Sequence, residues 1–150
     1  MLALILMTGI AFPTSPPVPA AQGSATIELD GKKVAVEWVD GDTFVVASTG
    51  VKARLDGFNT LESYGPVHKF GSGPAALFGI ANAATDLAKS QAWTCTKQSE
   101  DVGYGRIGPD CPGLRTAMLE QGLAHVFSGD GPASKSSLQA QALGIAARAG

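Results

Sequence analysis

Carboxylate and guanidinium side chains that could act together on one phosphate group occur in three short segments of the sequence. The segment DGDT, residues 40–43, places two carboxylates at a turn, and RLDGFNTLES, residues 54–63, combines an arginine with a later glutamate. A second arginine ends YGR, residues 104–106. Phosphodiester cleavage uses such groups, because oxygen ligands hold a hard cation that polarises the phosphate, a glutamate deprotonates water, and arginines neutralise the transition state.

The DGDT segment has a plainer interpretation when it is read alone. Two aspartates around a glycine are typical of a type I′ turn, because Asp tolerates the backbone angles that the turn requires. The other two segments are also weak signals individually. Phosphate chemistry becomes the favoured interpretation only when the three segments are taken together.

The same segments, followed by GLAHV at residues 122–126, resemble the thermonuclease family typified by staphylococcal nuclease. The resemblance runs from about Ala25 to the C-terminus, in the order and spacing of that family. It implies an OB-fold five-stranded β-barrel with three helices. It also implies calcium-dependent hydrolysis of DNA and RNA.

The resemblance assigns a metal site to the first two segments. Asp42 matches a metal-binding aspartate, Asn59 stands where the family usually has a second one, and Thr60 matches a threonine whose backbone carbonyl faces the metal. Asp40 matches an acidic residue near the metal that is not a firm ligand. The resemblance implies Ca²⁺ as the cation. Because Asn59 keeps an oxygen but lacks a negative charge, we expect a divalent cation to bind more weakly than in relatives, or with a different preference among cations.

The resemblance also assigns the catalytic groups. Glu62 matches the general base, and Arg54 and Arg106 match two arginines that bind the substrate phosphate. Leu61 replaces a family proline, which removes a rigid constraint on the backbone next to Glu62. Neither this change nor Asn59 removes the base or an arginine.

Two further side chains are candidate substrate contacts. Tyr64 could stack on a nucleic-acid base, although loop tyrosines often only cover an edge of the core. Lys69 could add positive potential near the cleft, although surface solubility is the default explanation for such a lysine.

The elements that must position these residues form a strand-rich first half followed by helices. Residues 25–54 alternate apolar and polar side chains between glycine-containing turns, which predicts three strands in a meander. Trp38 and Trp93 lie in strand-like patterns and are predicted core residues. The remaining pattern predicts a small α+β barrel, with helices over residues 74–91, 112–123 and 134–149 and strands over 92–96 and 103–111.

Composition limits the class of protein. The 150 residues, 45% of them hydrophobic, allow one globular core but no second domain of ordinary size. The 11 basic and 13 acidic residues give a net charge of −2. This argues against a protein that coats nucleic acid or anionic membranes non-specifically, but it permits a local basic cleft.

The N-terminal 21 residues contain no charged side chain and include the 11-residue apolar run LALILMTGIAF. The run is too short to cross a bilayer and is typical of a secretory signal, with a cleavage site near Ala21. A buried N-terminal strand or helix is the alternative. We therefore expect a signal peptide over residues 1–21, a thermonuclease-like domain over residues 25–150, and a secreted or periplasmic protein without membrane contact in its mature form.

Cys95 and Cys111 are the only two cysteines in the sequence. In an oxidising compartment they can form a single disulfide bond. A metal pair is less favoured because no neighbouring histidine or CxxC motif completes a site, and a catalytic thiol is less favoured still.

Two functions from different classes remain compatible with the sequence. The first is an exported, monomeric, metal-dependent nuclease that acts on DNA, RNA or both with little sequence preference. The alternative is a non-catalytic OB-fold module that binds single-stranded nucleic acid or a protein partner.

Overall fold

A computed structural model of the chain describes residues 25–61, 74–101, 104–128 and 132–149. The predicted signal peptide lies outside these ranges. The strands are β1 (Ala25–Leu29), β2 (Lys32–Trp38), β3 (Thr43–Val46), β4 (Lys52–Arg54), β5 (Phe58–Thr60), β6 (Thr94–Asp101), β7 (Arg106–Asp110) and β8 (Ala124–Val126). The helices are α1 (Pro74–Lys89), α2 (Pro112–Glu120) and α3 (Lys135–Ala149).

Six of these strands close a barrel in the order β1-β2-β3-β4-β7-β6, and β5 and β8 form a separate two-stranded sheet. Strands β1 to β4 pair as antiparallel neighbours. The barrel closes through two parallel pairs, β1 with β6 and β4 with β7. With the three helices of the described ranges, this is an α+β fold built on an OB-fold-like barrel, and the predicted fold class is confirmed.

The strand count differs from the prediction, which was five strands for the barrel and three for residues 25–54. Asp30 and Gly31 have φ angles of 50° and 78°, the left-handed values that a two-residue hairpin turn requires. This turn makes β1 a separate strand, so that residues 25–54 contain four strands and the barrel has six. Strands β5 and β8 were not predicted, because each has three residues, too few to show an alternating pattern.

The three predicted helices are present, with ends that differ by up to three residues. Helix α2 ends at Glu120 rather than at Leu123. Gly122 there has a φ of 63°, and the Leu123 N–H donates to the Met118 carbonyl at 2.9 Å, which stops the helix. None of the helices in the described ranges is both long and apolar enough to span a bilayer.

The core lies inside the barrel and under α2. Phe44 of β3 is fully buried, and the Trp38 ring meets it edge-on with 5.1 Å between ring centroids. Trp38 and Trp93 are each only 8% exposed, so both predictions of core tryptophans are confirmed. The largest fully buried side chains also include Ile27, Phe58, Leu114 and Met118.

The sulfur atoms of Cys95 and Cys111 lie at disulfide-bonding distance, as predicted. Cys95 belongs to β6 and Cys111 immediately precedes α2, so the bond joins the barrel to a helix. Both side chains are buried in the core cluster. The disulfide therefore fixes the start of α2 against the barrel wall.

We expect the double substitution Cys95→Ala/Cys111→Ala to lower the free energy of unfolding by about 3 kcal/mol. The cysteines are 16 residues apart, and closing a loop of about 15 residues contributes about that much in the chain-entropy model. Urea denaturation of both proteins measures the difference. A loss below about 1 kcal/mol would contradict a stabilising role for the bond.

Candidate functional site

Asp42 lies at the bend between β2 and β3 and is completely buried. Asp40, also in the bend, is 1% exposed, and its Oδ1 accepts the Asp42 N–H at 3.0 Å. This contact agrees with a local structural role for Asp40. The plainer interpretation of DGDT, a type I′ turn, is wrong, because neither Asp40 nor Gly41 has a positive φ.

Gly41 is required at the bend by close packing. A Cβ atom at this position would lie 2.7 Å from Thr60 Cγ2 and 2.8 Å from Ala84 Cβ. The bend is therefore pressed between the end of β5 and α1, and only a residue without a side chain fits there. This packing brings the segment of Asp42 against the segment of Asn59 and Thr60.

The carboxylate of Asp42 is surrounded by donors from three strands. Its Oδ2 accepts the Thr60 N–H at 2.6 Å and the Thr60 hydroxyl at 3.1 Å. Its Oδ1 accepts the Thr43 hydroxyl at 2.9 Å and forms an ion pair with Arg54 Nη1. A carboxylate has about four acceptor positions, and these contacts use all of them.

Arg54 joins the predicted metal-binding side chains to each other. While Nη1 contacts Asp42, Nη2 donates to Asn59 Oδ1 at 2.8 Å. Nη1 also donates to the Thr43 hydroxyl at 3.1 Å. The structure thus brings Asp42, Asn59 and Arg54 into one cluster. In it the Arg54 guanidinium contacts the carboxylate of Asp42 and the amide oxygen of Asn59.

Arg106 reaches the same region from β7. Strands β4 and β7 are parallel neighbours, with Lys52 opposite Arg106 and Ala53 opposite Ile107. The Tyr104 ring lies 4.8 Å from the Arg106 guanidinium carbon in a cation–π contact. Both arginines line one cavity of about 190 Å³, together with Asp56, Ser99, Ile107 and Gly108.

Asp56 is a site residue that sequence reasoning missed. Its carboxylate lines the cavity of the two arginines, and its Oδ2 lies 2.9 Å from where a Cβ on Gly108 would stand. It also lines a neighbouring cavity of about 450 Å³ that extends to Arg115. Its position two residues after Arg54, just beyond the end of β4, was the available signal.

Glu62, Tyr64 and Lys69 lie outside the described residues. Thr60 contacts Asp42 through its N–H and hydroxyl. The predicted role of its carbonyl toward a cation stays a prediction.

The described side chains do not fit a resident calcium ion while Arg54 stays in place. Calcium takes six to eight oxygen ligands, whereas the cluster offers one carboxylate and one amide oxygen, both of them in contact with Arg54. Across the described ranges, no group of three or more His, Cys, Asp or Glu side chains could hold a metal. The positive charge at this position comes from the guanidinium.

No protein-family model matches the chain, and no curated protein matches it at a significant level. The interpretation of the site therefore depends on its residues and their geometry.

We expect Gly41→Ala to lower the free energy of unfolding by about 1 to 3 kcal/mol, because the added methyl group must displace Thr60 or Ala84. Gly79→Ala is the matched control. A Cβ at that exposed position of α1 meets nothing within 4 Å, and the exchange should stabilise the helix by about 1 kcal/mol. Equal effects of the two substitutions in urea denaturation would contradict the close packing at Gly41.

Proposed function

We propose that the chain is an exported nuclease that hydrolyses phosphodiester bonds of DNA, RNA or both with little sequence preference. The observation that carries this proposal is the shared cavity of Arg54 and Arg106. These arginines are far apart in sequence and come together because β4 and β7 are neighbours in the barrel.

Two guanidinium groups in one cavity suit a phosphodiester. Each guanidinium presents donors in a planar fork that matches phosphate oxygens, and its charge persists at any physiological pH. As water attacks phosphorus, negative charge accumulates on the non-bridging oxygens. Donors held in advance around those oxygens lower the barrier of this step.

Glu62 is the proposed general base, and chain connectivity supports this role. The Thr60 N–H is bonded to Asp42, which in turn contacts Arg54. Glu62 follows Thr60 by two positions in the sequence. In the proposed step Glu62 takes a proton from the attacking water as its oxygen bonds to phosphorus, and Arg54 and Arg106 stabilise the charge that develops on the phosphate. The P–O5′ bond, the one that the resemblance implies is cleaved, then breaks, and the leaving 5′ oxygen takes up a proton from solvent.

The calcium requirement implied by the resemblance stays a prediction. Because the described donors do not fit a resident calcium ion, the proposed roles of Glu62 and the arginines are stated without a step at the metal.

A specific observation also favours the alternative, a non-catalytic OB-fold module that binds single-stranded nucleic acid or a protein partner. Arg54 already satisfies both Asp42 and Asn59, so the cluster is complete as a purely structural unit. The same two arginines would then bind a strand without cleaving it. Turnover separates the two functions.

Export is part of the proposal. It is supported by the signal-like sequence of residues 1–21 and by the disulfide pair, since such bonds persist in oxidising compartments. A nucleic-acid substrate, a secreted or periplasmic location and a monomeric state are thus proposed together.

We expect the purified, disulfide-bonded protein to degrade denatured DNA, and we expect Glu62→Gln to lower the rate at least about 100-fold, the usual contribution of a general base. Cleavage is measured with calcium, magnesium, manganese or a chelator. Glu120→Gln, the same exchange at the exposed end of α2, serves as the matched control and should cleave normally.

Full activity of the Glu62→Gln protein would remove the proposed base. If the folded protein bound the strand but cleaved it with none of the metals, the binding module would become the better conclusion.

We expect Asp56→Asn to strengthen binding of a single-stranded oligonucleotide about threefold. The Asp56 carboxylate lines the cavity of the arginines and repels a phosphate there. Two unit charges about 6 Å apart in water repel each other by about 0.7 kcal/mol. Fluorescence anisotropy at low salt measures the affinity, with Asp86→Asn on the exposed face of α1 as the control. Equal gains in the two variants would indicate a general charge effect rather than a local one.

A further inference from the structure

Lys52 lies on β4, two residues before Arg54. It is exposed, and the next residue, Ala53, is completely buried, so Lys52 and Arg54 both face the outside of the barrel. We propose that Lys52, Arg54 and Arg106 form a phosphate track, in which Lys52 binds the phosphate next to the one held by the two arginines. This inference rests on the proposed function, because the ligand is a nucleic-acid strand.

Strand pairing brings the three cations of the phosphate track together. Lys52 is the register partner of Arg106 on the parallel strand β7, and residues in register on neighbouring strands lie on the same face of a sheet. Neighbouring strands are about 4.8 Å apart, and residues two apart on one strand are separated by about 6.6 Å. The backbone of an extended nucleic-acid strand covers a similar distance over one nucleotide. The spacing of the cations therefore suits successive phosphates of one strand.

The pairing of Lys52 with Arg106 places two positive charges side by side. Like charges in register on neighbouring strands repel each other and disfavour the pairing. On β3 the register partner of Lys52 is Val45, whereas Arg106 is also in register with Asp101 of β6. Among the described residues, Lys52 has no ion-pair partner. A phosphate bound at Lys52 would supply the anion that offsets this repulsion.

The charges around Arg54 give the phosphate track a direction. Lys52 precedes Arg54 by two residues, and Asp56, which follows it by two, lines the cavity of the arginines. A strand that continues from the cavity past Asp56 meets a carboxylate, whereas one that continues past Lys52 gains a third cation. The strand should therefore leave the cavity over Lys52. The ligand that suits the phosphate track is a single strand with at least two successive phosphates.

The test measures how salt weakens the binding of a single-stranded oligonucleotide, followed by fluorescence anisotropy. Phosphorothioate linkages, which keep the charge and resist hydrolysis, separate binding from cleavage. Each phosphate neutralised on a single strand adds about 0.7 to the slope of log affinity against log salt concentration. We expect Lys52→Gln to reduce this slope by about 0.7 and to lower the affinity about fivefold at 0.1 M salt.

Lys33→Gln is the matched control. Lys33 is also an exposed strand lysine, but it lies on β2, which does not border β4, and its register partner on β1 is Glu28. The exchange removes the same charge from the same barrel. It should leave both the slope and the affinity unchanged.

A shorter probe separates a local contact from a general charge effect. A dinucleoside monophosphate carries one phosphate, which the two arginines hold whether or not Lys52 is present. In competition with the labelled oligonucleotide, its affinity should differ less than about twofold between the wild-type protein and Lys52→Gln at 0.1 M salt, where screening acts over about 10 Å. Arg106→Gln should weaken the binding of both probes.

The stability of Lys52→Gln provides a further readout, because the exchange also removes the repulsion from Arg106. We expect its urea midpoint to be no lower than that of the wild-type protein. A lower midpoint together with weaker binding of both probes would indicate a structural role for Lys52 and contradict the phosphate track.

An unchanged salt slope in Lys52→Gln would overturn the inference, as would an equal loss in Lys33→Gln or undetectable binding of the oligonucleotide by the wild-type protein. Cleavage of an unmodified strand judges the proposed function separately. A slope that depends on Lys52 in a protein that does not cleave would keep the phosphate track and favour the binding module. Cleavage with a slope that does not depend on Lys52 would keep the nuclease and remove the phosphate track.

Discussion

The buried carboxylate of Asp42 is the constraint on which the arrangement of the site depends. A carboxylate removed from water destabilises a fold unless charge and hydrogen bonds compensate for the loss of solvation. Here the compensation comes from Thr43 of β3, Arg54 of β4 and Thr60 of β5. Because the three partners belong to three strands, satisfying one side chain also sets the position of each strand relative to the bend.

Barrel topology then determines what Arg54 can bind besides Asp42. The parallel pairing of β4 with β7 brings Arg106 into the same cavity, where two positive charges favour an anion. Asp56, which lines the same cavity, reduces that preference. Asp56 also lines the adjoining cavity of about 450 Å³.

Local patterns in the sequence predicted the fold class, the helices and the disulfide pair, because periodicity, turn residues and a count of two cysteines can be read from the sequence alone. They undercounted the strands, because the three glycine-containing turns of residues 25–54 separate four strands rather than three. They also assigned Arg54 to phosphate alone. Its contacts with Asp42 and Asn59 depend on how β3, β4 and β5 are positioned relative to one another, which no local sequence pattern shows.

Asn59 determines the charge balance of the cluster that Asp42 and Arg54 form. With an aspartate at this position, one negative charge of the cluster would remain uncompensated beside Arg54, and a cation would be needed to remove the repulsion between the two carboxylates. With asparagine, the guanidinium balances Asp42 alone, and the amide oxygen accepts a hydrogen bond without adding charge. The folded cluster is thus neutral without a metal. The residue that makes this site less like a calcium site is therefore also the one that leaves Asp42 and Arg54 balanced in charge.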